Sequence, residues 1–366
     1  MKICFIVGSF PYMDCGVGDY TSMIANALAR IGNEVSVITS VNANSDVDNI
    51  EVHNIVDKFN YSSIKLIIRE LKKINPDIIH IQYPSHGFYN RKITSILLPL
   101  MIKKKIKKSK LVETVHEYPK YSWKGKCIYW INYKIMDKTI FAEEYYNNLI
   151  KKDFPNMYKK LNISNIPIGS NIPQSSICEL DKKKLIDKLG LSNKKIITYF
   201  GFARPNKGID DLFKAISVIK DENIKVLYIG ELRENNEYEK SLLELMEKLN
   251  IKDKFVITGY IKTNIEVADY LSISDVCVLP FKDGVKERYG SFLAACTQKI
   301  KIITTSMEER EDEEGIYYIR PNDSNSLAFK IKEVIDNKNI RSNKKVNDWN
   351  DLAKLYVQAY NDINVK

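Results

Sequence analysis

KKIITYFGFARPNKGIDDLFKAISVIK, residues 194–220, sets an apolar strand, a glycine-bounded basic loop and an amphipathic helix in immediate succession. A strand apolar on both faces belongs in a sheet covered on both sides, and a helix following at once is the crossover that parallel pairing needs. The same alternation continues downstream through IKVLYIG, a helix near YEKSLLELMEKL, KFVITGY, VCVLPF and KIIT. Upstream, KICFIVGSF, a helical DYTSMIANALARIG, EVSVITS, a helix near SSIKLIIRELKKI, DIIHIQYP and KLVETVH make a first series of the same kind. Between the two series stands IPIGSNIP, Ile166 to Pro173, whose Pro and Gly content suits a linker.

The expected fold is therefore α/β, with two Rossmann-like doubly wound domains facing across a cleft. Residues 1–170 are expected to form the first domain, 171–345 the second, and 346–366 a closing helix on the first domain. In that last segment Trp349, Leu352, Leu355, Tyr356, Ala359 and Tyr360 recur at helical spacing.

A chain of 366 residues that is 44% hydrophobic supports two cores. No apolar run reaches the roughly 20 residues that span a bilayer, and the N-terminus enters a strand directly, so a cytoplasmic protein is expected. Six scattered cysteines, with no pair and no cluster near the four histidines, indicate neither a disulfide framework nor a zinc site. Residues 1–170 hold 24 Lys+Arg against 15 Asp+Glu, whereas 171–366 hold 32 against 31. Positive charge concentrated in one half points to a polyanionic surface. An anionic membrane fits better than a nucleic acid, because no recognition motif is present. The segment from Arg91 to Lys110, RKITSILLPLMIKKKIKKSK, has an apolar stretch leading into lysines that would suit a membrane interface. Pro99 interrupts it, and a core helix with a solvated basic end is the competing reading.

Ligands of open α/β sheets sit outside the carboxyl ends of strands, so the loops there carry the chemistry. GFARPNKG, Gly201 to Gly208, puts Arg204 and Lys207 on one short loop, suited to a departing diphosphate. KDGVKERYGSFLAACTQ follows VCVLPF, with Glu287 and Arg288 ahead of Gly290 and Ser291, which open a helix able to offer N–H groups to a phosphate. GVGD, with Gly16 and Gly18 between the first strand and the next helix, would let the backbone approach a substrate. It lacks the third glycine and the following acid of a dinucleotide site. His116 in TVHEYP stands at a strand end, where an imidazole can bond a sugar hydroxyl or position an acceptor. His80 in DIIHIQYP reads as structural.

Taken together, GFARPNKG, DIIHIQYP, TVHEYP, IPIGSNIP and DGVKERYGSFLAAC resemble the bacterial family 4, or group 1, retaining glycosyltransferases of the GT-B fold, over essentially the whole chain. The resemblance implies sugar transfer without a bound metal or other cofactor, often onto lipid-linked glycans in lipopolysaccharide O-antigen or capsule synthesis at the inner face of the cell membrane. It implies a catalytic role for Arg204, Lys207 and His116. Gly16, Gly18, Gly201, Glu287, Arg288, Gly290 and Ser291 would bind the nucleotide sugar. The family's paired glutamates eight residues apart are here Glu287 and Ala295, so the ribose-binding carboxylate is missing. That loss keeps open a non-catalytic nucleotide- or glycan-binding partner of another transferase. A sugar-nucleotide epimerase, the third possibility, would need cleft carboxylates, for which Glu117 and Glu287 are the candidates.

Overall fold

A computed structural model describes residues 1–11, 13, 15–43, 48–83, 92–116, 130–234, 236–337 and 340–363, with the side chains of 92–96 left aside. The chain divides into two compact units, Met1–Gly169 with Asn347–Lys366, and Ser170–Val346.

The first unit contains a seven-stranded sheet of β1 (Lys2–Ile6), β2 (Glu34–Ser40), β3 (Glu51–Val56), β4 (Ile78–Tyr83), β5 (Lys110–Val115), β6 (Lys138–Phe141) and β7 (Ile163–Asn165). Their order is β3-β2-β1-β4-β5-β6-β7, and every pairing is parallel. The helices are α1 (Gly16–Arg30), α2 (Tyr61–Ile74), α3 (Lys92–Lys105), α4 (Glu144–Asp153) and a short α5 (Pro155–Tyr158). On one face Ile64, Ile67 and Leu71 of α2, Leu98 and Ile102 of α3, and Tyr146 and Ile150 of α4 form a core with Ile79, Ile81 and Val115.

The second unit has a six-stranded parallel sheet of β8 (Lys195–Phe200), β9 (Ile224–Ile229), β10 (Phe255–Ile257), β11 (Val276–Leu279), β12 (Lys301–Thr305) and β13 (Ile316–Ile319), in the order β10-β9-β8-β11-β12-β13. Around it run α6 (Glu179–Lys188), α7 (Ile209–Val218), α8 (Glu237–Lys248), α9 (Asn264–Ser272), α10 (Gly290–Thr297) and α11 (Ser324–Ile335). Both sheets therefore reverse their winding direction once, between β1 and β4 and between β8 and β11, and these are the places where a doubly wound sheet opens a crevice.

The chain returns to the first unit as α12 (Trp349–Asn361). Its buried residues are Trp349, Leu352, Ala353, Tyr356, Ala359 and Tyr360, which join Ile24, Ala25 and Leu28 of α1 on the other face of the first sheet. Leu355, expected on the apolar stripe, is exposed, and the buried face runs instead through Ala353, four residues after Trp349 and three before Tyr356. A Cβ on Gly169 would meet Leu352, Trp349 and the Asn347 carbonyl at 3.0–3.1 Å, so glycine lets the outgoing and returning segments of chain lie this close without a shift of their neighbours.

The reading of Arg91 to Lys110 resolves in favour of a core helix: α3 runs through Pro99 and buries Leu98 and Ile102. Arg91 lies outside the described residues. Lys103–Lys105 occupy the last turn of α3, as Lys72 and Lys73 do in α2. Since each helix returns the chain to the start of a parallel strand, these lysines gather at the amino-end edge of the sheet, opposite the strand ends where ligands sit.

Candidate active site

In the second unit the two loops singled out from the sequence leave β8 and β11, the strands on either side of the winding reversal. β8 ends at Phe200, and Gly201 follows with φ +143. Arg204 is extended and exposed, Pro205–Lys207 make one 3₁₀ turn, and Gly208 turns left-handed at φ 67 to start α7. A Cβ at Gly208 would lie 1.8 Å from the Pro280 carbonyl oxygen, so this glycine lets the two loops touch. The contact is tied by the Lys282 amide, which donates to the Asn206 carbonyl at 3.0 Å.

Lys207 is thereby held between aromatic rings, its Nζ 4.7 Å from the centroids of both Phe281 and Tyr289, which themselves pack at 4.6 Å. Burial, then the charge of Arg204, pushes the Lys207 ammonium down to about 8. Arg288 and Lys286 add to that shift, and Asp283 opposes it. Asp283 is engaged by Lys286 at 2.7 Å and by the Tyr289 hydroxyl at 2.8 Å, whereas Lys207 forms no ion pair among the described residues. The result is a cluster of cations around a half-buried ammonium, a place that favours a polyanion.

The two nearby helix starts differ in what they offer. The first turn of α7 carries Asp210 and Asp211, and Lys282 binds Asp210 at 2.8 Å, so that terminus already has its anions. α10 has no acidic residue in its first turn and no side-chain cap, so the amides that begin at Gly290 and Ser291 remain available. Glu287 stands apart from the cluster: its carboxylate is exposed and meets Lys344 at 2.7 Å. Ala295 is fully buried in the core of the second unit. Lys286, Asp283, Tyr289 and Phe281 were missed as site residues, although each lies on a loop leaving a strand at the winding reversal.

In the first unit, GVGD is the first turn of α1 rather than a loop before it, because Gly16 is already helical. Gly18 is required by packing, since a Cβ there would come 2.7 Å from the Ser9 carbonyl oxygen. Gly16 has open space around its Cβ position and no such need. His116 is buried just beyond β5, its amide donating to the Tyr83 carbonyl at 2.9 Å and its Nε2 lying 2.7 Å from Gln82 Oε1. His80 is a core residue, with Nδ1 2.7 Å from the Tyr360 hydroxyl and Nε2 2.8 Å from Thr114 Oγ1. Burial, with a smaller contribution from His116, pushes its pKa down to about 3, so it stays neutral. Glu117 lies outside the described residues. No helix among the described residues is long and apolar enough to cross a membrane.

Fold and site together define a protein of two parallel α/β units, one of which carries a cationic site at its strand reversal. Family models extend this: residues 181–354 match glycosyl transferases group 1, and residues 2–137 match glycosyl transferase 4-like. The chain belongs to the group 1 glycosyl transferases, with a 4-like first half.

Solved structures of similar fold include sucrose-phosphate synthase from Thermosynechococcus elongatus, with TM-score 0.72 and 17% identity over 99% of both chains. A glycosyltransferase from Rickettsia africae has TM-score 0.72 and 20% identity over 99% of this chain and 93% of that one. HepE of Anabaena, solved with UDP and glucose, has TM-score 0.72 and 15% identity over 100% and 98%. These are GT-B structures, and the two sheets found here match them. No curated protein matches the sequence.

Proposed function

We propose that this glycosyltransferase moves a sugar, with retention of anomeric configuration and without a bound metal, from a nucleoside diphosphate sugar onto a lipid-linked or glycan acceptor of a cell-surface polysaccharide such as O-antigen or capsule. The observation that carries the reading is Lys207, an ammonium half-buried between Phe281 and Tyr289 amid Arg204, Lys286 and Arg288. A bound diphosphate relieves that repulsion, and HepE, of similar fold, holds UDP and glucose. In the reaction the bond from the anomeric carbon to the diphosphate oxygen breaks, and a bond from that carbon to the acceptor oxygen forms on the same face. The acceptor's proton passes to the departing phosphate oxygen. Negative charge grows on the diphosphate as it leaves, so Arg204, Lys207 and the first amides of α10 bind the transition state more tightly than the donor. Lysine and arginine cations here neutralise the charge that a divalent ion neutralises elsewhere.

His116 serves the acceptor in the first unit. The basic charge of that unit suits association with the anionic inner face of the cell membrane, where a lipid-linked acceptor is found. The test is turnover against a panel of sugar nucleotides and lipid-diphosphate acceptors, for the parent, Arg204→Ala and Lys207→Ala. Each variant should lose about 100-fold or more in rate. Unchanged turnover in both would remove this mechanism, and donor binding with no transfer to any acceptor would favour a binding protein.

A further inference from the structure

Residues 280–289, which join β11 to α10, bring a carboxylate, that of Asp283, among the cations of the second unit. Asp283 is exposed, and its charge acts on Lys207. An aspartate that near to an ammonium is a natural partner for it, and a paired Lys207 would offer less to an anionic ligand. The two do not pair. Asp283 Oδ2 instead accepts from Lys286 at 2.7 Å and from the Tyr289 hydroxyl at 2.8 Å.

The backbone fixes only where this side chain starts. Gly284 follows at φ +74, its amide donating to the Phe281 carbonyl at 3.3 Å, and the Val285 amide donates to the Thr305 carbonyl at 2.8 Å. A Cβ on Gly284 would meet Met307 at 3.2–3.3 Å, so the turn lies close against the loop that leaves β12. Asp283 thus stands on a pinned turn, and its side-chain partners decide which way it points.

Those partners differ in rigidity. Lys286 is a flexible chain three residues on, and a surface pair of this kind holds little by itself, because ordering two mobile side chains offsets most of the attraction. Tyr289 is a half-buried ring packed on Phe281 at 4.6 Å, with Lys207 Nζ 4.7 Å and Lys286 Nζ 5.4 Å from its centroid. Its hydroxyl is therefore the fixed donor, carried by the same ring on which Lys207 rests.

We propose that Tyr289 is a positioning residue whose hydroxyl keeps Asp283 from pairing with Lys207, leaving that ammonium open to the diphosphate of the donor. Its purpose rests on the diphosphate reading given above; the geometry does not. Tyr289→Phe keeps the ring and removes the hydroxyl alone. Asp283 then turns to Lys207, and a carboxylate beside an ammonium both raises its pKa and occupies it.

The experiment has two readouts. Proton–carbon correlation at the ε position of ¹³C-lysine-labelled protein, followed from about pH 6 to 11, reads the lysine itself, and a Lys207→Arg spectrum assigns the signal. Lys207 of the parent should titrate near 8. In Tyr289→Phe the midpoint should rise by about one pH unit or more, and adding Asp283→Asn should return it to the parent value or below. Calorimetric titration with UDP, GDP and ADP at about pH 7, where Lys207 is charged, is the second readout. Whichever of these binds the parent should bind Tyr289→Phe about fivefold or more weakly, and the double variant should recover to within about threefold of the parent or better. A ring that only packs predicts no such rescue. An unchanged Lys207 midpoint or unchanged affinity in Tyr289→Phe, or a double variant as weak as Tyr289→Phe, would each overturn the proposal. Failure of all three nucleotides to bind the parent would sink the diphosphate reading, and the Lys207 titration would still decide whether Tyr289 holds Asp283 away.

Discussion

Lys207 shows how one residue joins packing to chemistry. Its ammonium titrates near 8 instead of 10.5 because burial and neighbouring cations disfavour the charge. The charged form is present below about pH 8 and lost above it. A diphosphate needs that form, so nucleoside diphosphate affinity should fall as the pH rises from 7 to about 9.5, and binding near pH 8.5 should take up protons. Calorimetry in buffers of differing ionisation enthalpy reads the uptake, and Lys207→Arg, which stays charged throughout, should abolish it. The same shift has the opposite sign for the empty fold. Because the folded value lies below the unfolded one, Lys207 weakens stability at neutral pH, and that penalty fades as the pH climbs towards 10.5.

Elements are held by side chains that look unremarkable in the sequence. Lys301, at the start of β12, is buried, and its Nζ donates to the carbonyls of Val334, Ile335 and Asn337 at 2.8, 3.2 and 2.7 Å. It closes the C-terminus of α11, where a cation satisfies carbonyls that the helix leaves unpaired. Lys301→Met should therefore cost about 2 kcal/mol, read as a shift in the denaturant midpoint. Gly208→Ala faces both a left-handed backbone and the Pro280 carbonyl, so it should separate the β8 and β11 loops and weaken nucleoside diphosphate binding more than it changes the melting of the unit.

Strands with long apolar runs, such as Lys195–Phe200 and Ile78–Tyr83, were legible from the sequence, as were the loops that follow β8 and β11. Three of the four edge strands were not, the exception being β10, which KFVITGY marked. Glu51–Val56 reads EVHNIV and is mostly half-buried, while Ile163–Asn165 and Ile316–Ile319 are too short for periodicity to register. Nor was Tyr289 visible as part of the site, since its contact with Lys207 depends on two loops brought together by a fold, not on spacing.

On the scale of the whole molecule, the last helix is a structural part of the first unit. A chain ending at Val346 would strip Tyr356 and Tyr360 from His80, Thr114 and Tyr20 and bare the apolar face around Ile24 and Leu28. It should fail to yield a folded first unit, as proteolysis and ultracentrifugation would report. The excess positive charge of that unit predicts co-flotation with phosphatidylglycerol vesicles that weakens as salt rises, and not with neutral vesicles. An equal result with both lipids would end the membrane assignment.

The central claim is that the cations at the strand reversal of the second unit bind a diphosphate. Calorimetric titration of the parent, Arg204→Ala and Lys207→Ala with a nucleoside diphosphate and the matching monophosphate tests it most directly. The diphosphate should bind the parent more tightly than the monophosphate, and that preference should disappear in Lys207→Ala and shrink in Arg204→Ala. A diphosphate preference equal in all three proteins would contradict the account.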